Sequence, residues 1–206
     1  GWIQDLLVTE HGSESSETQK EISRAVQQIR TQGERCKSIT HKLLSFARKT
    51  DPTVRSVDLN ALVEEVIDLT GQRARYANIK IETRLSAGLE PISGSPSELQ
   101  QVLLNLVNNA VDAIGPDGGT VTVTTARDGD AIVLEVRDTG EGIPEANLEK
   151  IFDPFFTTKP VGQGTGLGLS ICYGIIHKLG GRIGVESEVG AGTTFRIHFP
   201  TGGPTA

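Results

Sequence analysis

The sequence predicts an α+β fold: a two-layer α/β sandwich of a mixed, mostly antiparallel sheet with helices on one face, preceded by part of a helical hairpin. Three observations predict it. TVTVTTA (120–126) and AIVLEVR (131–137) alternate in polarity and are joined by Asp128-Gly129-Asp130, the mark of a hairpin. RIGVES (182–187) and TTFRIHF (193–199) form a second such pair. Helical periods stand between the hairpins and do not alternate with single strands, which excludes a doubly wound parallel sheet.

In chain order, Gly1–Val8 reads as the end of a helix and the polar stretch 10–18 as a loop. Residues 19–49 read as one long helix. Ile22, Ile29, Cys36 and Leu43 recur every seven residues, with Val26, Ile39 and Phe46 between them. Such a narrow apolar seam needs a partner helix or a packing surface. Asp51-Pro52 ends this segment, and the chain divides there into residues 1–50 and 51–206. Asp58 caps a helix over 58–70, and IKIETRL (79–85) alternates as a strand. Ser95-Pro96-Ser97-Glu98 is a capping box with proline at the first helical position, opening a helix to Ile114. Further helices are read at 145–150 and 167–179, the latter stopped by Gly180-Gly181.

Composition narrows the function. The 206 residues carry a net charge of -6, a poor match for nucleic acid. Cys36 and Cys172 are the two cysteines and the four histidines lack metal-ligand spacing, so neither a disulfide framework nor a zinc site is expected. Both cysteines read as small buried hydrophobes in a reducing, cytoplasmic setting. The chain begins at Gly1 and contains no methionine. A natural start is therefore expected upstream, together with any membrane attachment.

Three segments carry chemistry. In the helix at 96–114, Leu99, Leu103, Leu106, Ala110 and Ala113 mark the core face, while Asn105, Asn109 and Asp112 repeat at 4,3 on another. Asparagine is a poor residue for a helix interior. The row is either a solvated polar face or a set of oxygens for a hard cation on a polyphosphate. Asp138, at a strand end beside Gly140 and Gly142, offers a carboxylate that only accepts hydrogen bonds when ionised, suited to an exocyclic amine such as adenine's; otherwise it belongs to an ordinary turn. Gly162–Ser170 places a glycine-rich backbone at a helix start, where free amides and the helix dipole attract phosphate. It lacks the Walker and Rossmann patterns, and a plain flexible loop is the alternative. Phe152, Phe155 and Phe156 are either core or anchors of a lid spanning 152–166.

In this order the segments resemble the ATPase domain shared by histidine kinases, type II topoisomerases, chaperones and mismatch-repair proteins. Leu104–Ala110 is similar to that family's N box, Asp138–Ile143 to its first glycine box and Phe152–Phe156 to its F box. Gly164–Gly168 and Gly190–Phe195 are similar to its later glycine boxes. The resemblance implies binding of ATP and Mg²⁺. It places Asn109 as principal metal ligand, Asn105 assisting at metal or phosphate, and Asp138 at adenine. Gly164, Gly166 and Gly168 cradle phosphates, and Lys159 reaches the γ-phosphate. Gly140, Gly142, Ile143, Phe152, Thr165, Leu167, Leu169, Thr193 and Thr194 complete the implied binding set. Asp112 stands where many relatives carry a basic residue.

Hydrolysing members place a general-base glutamate where this chain has Asn105, and an amide cannot take a proton from water. That difference and the Thr157-Thr158-Lys159 ending favour the kinase branch. Ile39–Lys49 resembles the second dimerisation helix of nitrogen-regulation-type sensor kinases. The resemblance then implies that a phospho-accepting histidine precedes Gly1, neither His11 nor His41 having the usual acidic neighbour. It also implies a response-regulator receiver as partner and a homodimer, weaker for a partial hairpin. The alternatives are an ATP hydrolase working as a conformational clamp and a non-catalytic nucleotide-binding module.

Overall fold

The computed structural model describes residues 20, 22–33, 53–160 and 164–201. The chain splits into two compact units, Gly1–Arg48 with Lys159–Gly164, and Lys49–Thr158 with Thr165–Ala206. Of the first, residues 22–33 form a helix, α1, on which Ile22 and Ile29 are exposed. The rest of the long helix read at 19–49, the Gly1–Val8 segment, His11, His41 and Cys36 lie outside the described residues.

The second unit holds a five-stranded sheet and three long helices. Its elements are β1 (Arg55–Val57), α2 (Leu59–Tyr76), β2 (Ile79–Leu85), β3 (Ile92–Gly94), α3 (Pro96–Ile114), β4 (Gly119–Asp128) and β5 (Ala131–Asp138). The short α4 (Glu145–Leu148), then α5 (Gly168–Lys178), β6 (Arg182–Glu188) and β7 (Gly192–Pro200) follow. The strand order is β2-β4-β5-β7-β6, with β1 and β3 as a separate antiparallel pair. β2 runs parallel to β4 and every other pairing in the sheet is antiparallel. The mixed, mostly antiparallel sheet is as the sequence predicts.

Side-chain caps start two of the long helices of this unit, α2 and α3. Asp58 Oδ1 accepts the Asn60 and Ala61 amides at 2.9 and 3.1 Å, which caps α2. That helix runs to Tyr76, beyond the predicted end at 70. Gly71 stands in open space and is tolerated, and the chain turns only at Asn78, whose φ is 55°; asparagine enters the left-handed region more readily than most residues. Ser95 Oγ accepts the Glu98 amide at 3.3 Å. The Glu98 carboxylate does not reach back as a capping box would have it but takes Lys178 Nζ of α5 at 2.8 Å. Asp128 pairs with Ala131, so the first hairpin turns on Gly129-Asp130 alone, with Gly129 at φ 56°.

The core lies between the helices and one face of the sheet. Val121, Val123, Ile132, Leu134, Val136, Phe195, Ile197 and Phe199 face Val63, Val66, Leu99, Leu103, Leu106 and Ile176. The opposite face carries an ion network: Arg196 Nη2 meets Glu135 at 2.9 Å and Nη1 meets Glu186 at 3.1 Å. Cys172 is fully buried, as a small hydrophobe should be. Burial pushes its thiol up to about 12, with the Asn105 amide acting weakly the other way. No helix among the described residues is long and apolar enough to cross a membrane.

Candidate functional site

The end of β5 puts Asp138 against the last turns of α3 and the start of β7. Asp138 is 3% exposed. Its Oδ1 accepts the Gly140 amide at 2.8 Å and the Thr193 amide at 3.2 Å. Burial raises its carboxyl above the ordinary aspartate value, and these two amides oppose that rise. The Oδ2 atom takes neither amide. An acceptor fixed on one oxygen and directed by the other is the floor on which an amine donor can be read.

The glycines beside Asp138 serve the protein's own backbone. A Cβ at Gly140 would strike the Ala113 backbone at 2.6 Å, and one at Gly142 would strike the Glu188 carbonyl. At Gly192 a Cβ would meet the Asp138 carbonyl. Gly142 and Gly192 also hold φ of 73° and 111°, which L-residues with a side chain rarely adopt. These contacts pack three chain segments around one carboxylate. Ala113, read from the sequence as a core residue, is half-buried and takes the Glu141 amide on its carbonyl at 3.0 Å.

On α3, Asn105 and Asn109 are both half-buried and Asp112 is exposed. Asn105 Nδ2 donates to the Gly168 carbonyl at 3.3 Å, so its amide ties the asparagine-bearing helix to the first residue of α5. Among the described residues Asn109 makes no side-chain hydrogen bond, and its amide oxygen is available to a ligand. Two neutral amide oxygens bring no charge, so they fit a hard cation that arrives with its own anionic oxygens, as Mg²⁺ does on a polyphosphate. His, Cys, Asp and Glu side chains form no group of three or more able to hold a metal among the described residues.

Leu167 precedes α5, whose first turn leaves backbone amides without helical partners. Gly166, at φ 66°, packs against the Phe155 backbone, and the Phe155 amide donates to the Gly166 carbonyl at 2.9 Å. Within the predicted lid of 152–166, residue 155 is therefore fastened to residue 166. Phe152 and Phe156 pack on the core edge, with the Phe152 ring 5.6 Å from that of Tyr173. Phe155 is 67% exposed and holds φ of 70°, a conformation that is an outlier for a bulky residue. Lys159 and Gly164 belong to the first compact unit, while Gly162 and Gln163 lie outside the described residues.

Thr193 and Thr194 separate. Thr193 is buried beside Asp138. Thr194 pairs with Arg137 and Glu186 and faces the ion-network side of the sheet, because neighbouring strand residues point oppositely. Ile143 joins the site through its amide, which donates to Ser187 Oγ at 2.8 Å. Ser187 was not singled out from the sequence. Its signal was a hydroxyl at the position that follows Ile183 and Val185 on the inward face of β6.

The model of histidine kinase-, DNA gyrase B- and HSP90-like ATPases matches residues 94–203. The sensor kinase CckA of Brucella abortus (strain 2308) is 40% identical over 95% of this chain, and the chain spans 22% of that protein's length. The nucleotide-free catalytic domain of histidine kinase ThkA is 37% identical with a TM-score of 0.66, over 72% of this chain and 96% of that domain. ThkA in complex with the response regulator protein TrrA matches at 28% identity and a TM-score of 0.70, over 98% of this chain and 56% of that one. Full-length ShkA in complex with AMPPNP matches at 30% identity and a TM-score of 0.71, over 96% of this chain and 41% of that one. With five ordered motifs, the fold and these relatives in agreement, the chain belongs to the family of histidine kinase-, DNA gyrase B- and HSP90-like ATPases, among its sensor histidine kinases.

Proposed function

We propose that this chain is the ATP-binding catalytic part of a sensor histidine kinase, acting in a two-component system. It binds Mg-ATP and passes the γ-phosphoryl group to a histidine ring nitrogen, for relay to an aspartate of a response-regulator receiver. The observation that carries this reading is the arrangement around α3. Its asparagine face is joined to the glycine-rich start of α5 by Asn105, and its last turn is joined to the Asp138 floor by Ala113. One helix thus connects a base-reading end with a phosphate-reading end. The ShkA complex with AMPPNP and the ThkA complex with TrrA support the nucleotide and the receiver as partners.

Within this reading Asp138 accepts from the adenine amine. The free amides of Gly168 and Leu169, with Thr165, Gly166 and Leu167 before them, hold phosphate oxygens. Asn109 holds the metal and Asn105 fixes the helix start beside it. Gly164 joins Gly166 and Gly168 in cradling phosphates, Lys159 reaches the γ-phosphate, and Phe152 anchors the segment that follows. Bound Mg²⁺ neutralises charge on the β- and γ-phosphates. Catalysis then rests on positioning, since Asn105 cannot serve as the general base that water attack requires. Residues 1–50 are assigned to a dimerisation hairpin and 51–206 to nucleotide binding, in a cytoplasmic homodimer.

The test pairs γ-labelled ATP with this chain and a polypeptide carrying a complete dimerisation hairpin. Acid-labile, alkali-stable label on the hairpin histidine is the expected result. Steady phosphate release without an acceptor, and no label, would establish the hydrolase reading in its place.

A further inference from the structure

Polar contacts fasten α3 to α5 along their seam, and they run in opposite directions on the two helices. Glu98 takes Lys178 Nζ at 2.8 Å, the Cys172 thiol donates to the Val102 carbonyl at 3.7 Å, and Asn105 Nδ2 donates to the Gly168 carbonyl at 3.3 Å. Val102 and Asn105 stand one turn apart on α3, as Gly168 and Cys172 do on α5. The asparagine and the fully buried cysteine therefore share one stretch of the seam, where the Asn105 amide also donates to the Cys172 sulfur. A thiol has one proton. With that proton on Val102, the sulfur is left as an acceptor. An asparagine amide carries two N–H donors on its nitrogen and acceptor positions on its oxygen. Gly168 and Cys172 together take both donors. Oδ1 accepts no hydrogen bond among the described residues. It faces the start of α5, where a Cβ on Gly168 would lie 3.8 Å from it.

We propose that Cys172 is a positioning residue for the cation that accompanies the nucleotide, acting through Asn105. With the Gly168 carbonyl, it holds the amide nitrogen inward, so that only the oxygen is offered at the start of α5. Phosphate oxygens accept hydrogen bonds and would need the nitrogen. A hard cation, or a water bound to it, needs the oxygen. Buried partners that aim a ligand atom raise metal affinity without touching the metal. Alanine at 172 would still be apolar core, but it would leave one N–H of Asn105 unpaired and the amide free to turn. The inference rests on the reading of the asparagine face of α3 as the cation-holding face.

The experiment measures the dissociation constant of ATP by calorimetry, once in a chelator and once in Mg²⁺, on this chain and its variants. Thermal unfolding is recorded for each. In C172A the chelator/Mg²⁺ ratio of dissociation constants is expected to fall about three- to tenfold, the worth of one ordinary hydrogen bond, while affinity in chelator holds. C172S keeps a hydroxyl that donates to Val102 and accepts from Asn105. It is expected to restore the ratio, although it too leaves the core smaller. In an N105A background, C172A has no further effect on the ratio. Equal weakening of ATP with and without Mg²⁺ in C172A, or a folded C172S that fails to restore the ratio, would overturn the proposal. If neither variant folds, the unaltered chain carries the test. The side-chain amide hydrogens of Asn105 should exchange with solvent more slowly than those of Asn109 by nuclear magnetic resonance, and equal exchange overturns the proposal. N105A separates the two claims: an unchanged ratio there removes Asn105 from the cation, while the exchange rates judge the hold of Cys172 on its amide.

Discussion

Replacing Asp138 by asparagine separates recognition from stability, because the two oxygens of the carboxylate do different work. Oδ1 accepts from Gly140 and Thr193. Asparagine can place its own oxygen there and keep both bonds. The atom at the Oδ2 position changes from acceptor to donor. A charge-assisted hydrogen bond contributes about 1.5–3 kcal/mol, so D138N should weaken Mg-ATP by roughly ten- to a hundredfold. Mg-GTP loses no such bond, and the preference for ATP should collapse. Stability should change little, since a neutral amide also relieves the burial that opposes the carboxylate. D138A behaves differently. It strips the acceptor from two amides, at about 1–3 kcal/mol for each one left unsatisfied. With roughly 2–4 °C per kcal/mol for a domain of this size, D138A should melt about 4–24 °C lower. Calorimetric titration and thermal unfolding of both variants give the four numbers required. Wild-type ATP affinity in a folded D138N would refute the assignment, and equal melting temperatures for D138N and D138A would refute the division of labour between the oxygens.

Other expectations follow from single side chains. Asn109→Ala removes an amide oxygen that makes no hydrogen bond among the described residues. It should abolish the Mg²⁺-dependent part of ATP binding and leave the melting temperature within about 3 °C of wild type, checked by titration with Mg²⁺ and with a chelator. Burial raises the Asp138 carboxyl, so the folded state holds that proton more readily than the unfolded chain. The group's contribution to stability falls as pH rises from the unfolded value through the folded one, while ATP affinity falls as pH drops through the same window. Calorimetry across pH 4–7 should show that loss of affinity in the wild type and not in D138N. The thiol of Cys172, pushed up to about 12 in the core, should resist alkylation at pH 8 in the native chain and react in denaturant, read by peptide mass spectrometry.

The sequence disclosed what is decided locally. Asp58 and Ser95 announce their helices through caps, and the two hairpins announce theirs through alternation and a glycine turn. Elements decided at a distance were not legible. β1 and β3 have three residues each, too few for a period, and they exist because Arg55 and Gly94 meet across the fold. Nothing in IKIETRL states that β2 lies parallel to β4. At the site, the family motifs marked Asp138, the asparagine face and the glycine-rich segments, but not how the work is divided within them. Gly140, Gly142 and Gly192 face protein backbone, which resemblance to a nucleotide-binding box does not reveal. Thr193 and Thr194 look alike in a motif and are separated only by the parity of β7. Ser187 entered through hydrogen bonds to Ile143, Gly192 and Thr193 that sequence spacing does not disclose.

Among the described residues the sheet ends on β2 and β6, and these last strands are chemically guarded. β2 carries Lys80, Glu82 and Arg84 on alternate positions, cross-linked by contacts of 2.8 and 3.7 Å. β6 carries Arg182, Glu186 and Glu188. A strand from another molecule seeking the unpaired amides and carbonyls of either border would have to strip water from these charges and pack against them, the means by which natural sheets discourage growth. Fibre-like addition is thus disfavoured at the two places where the backbone would otherwise invite it. In a concentrated solution the two borders are thereby protected against strand-to-strand templating.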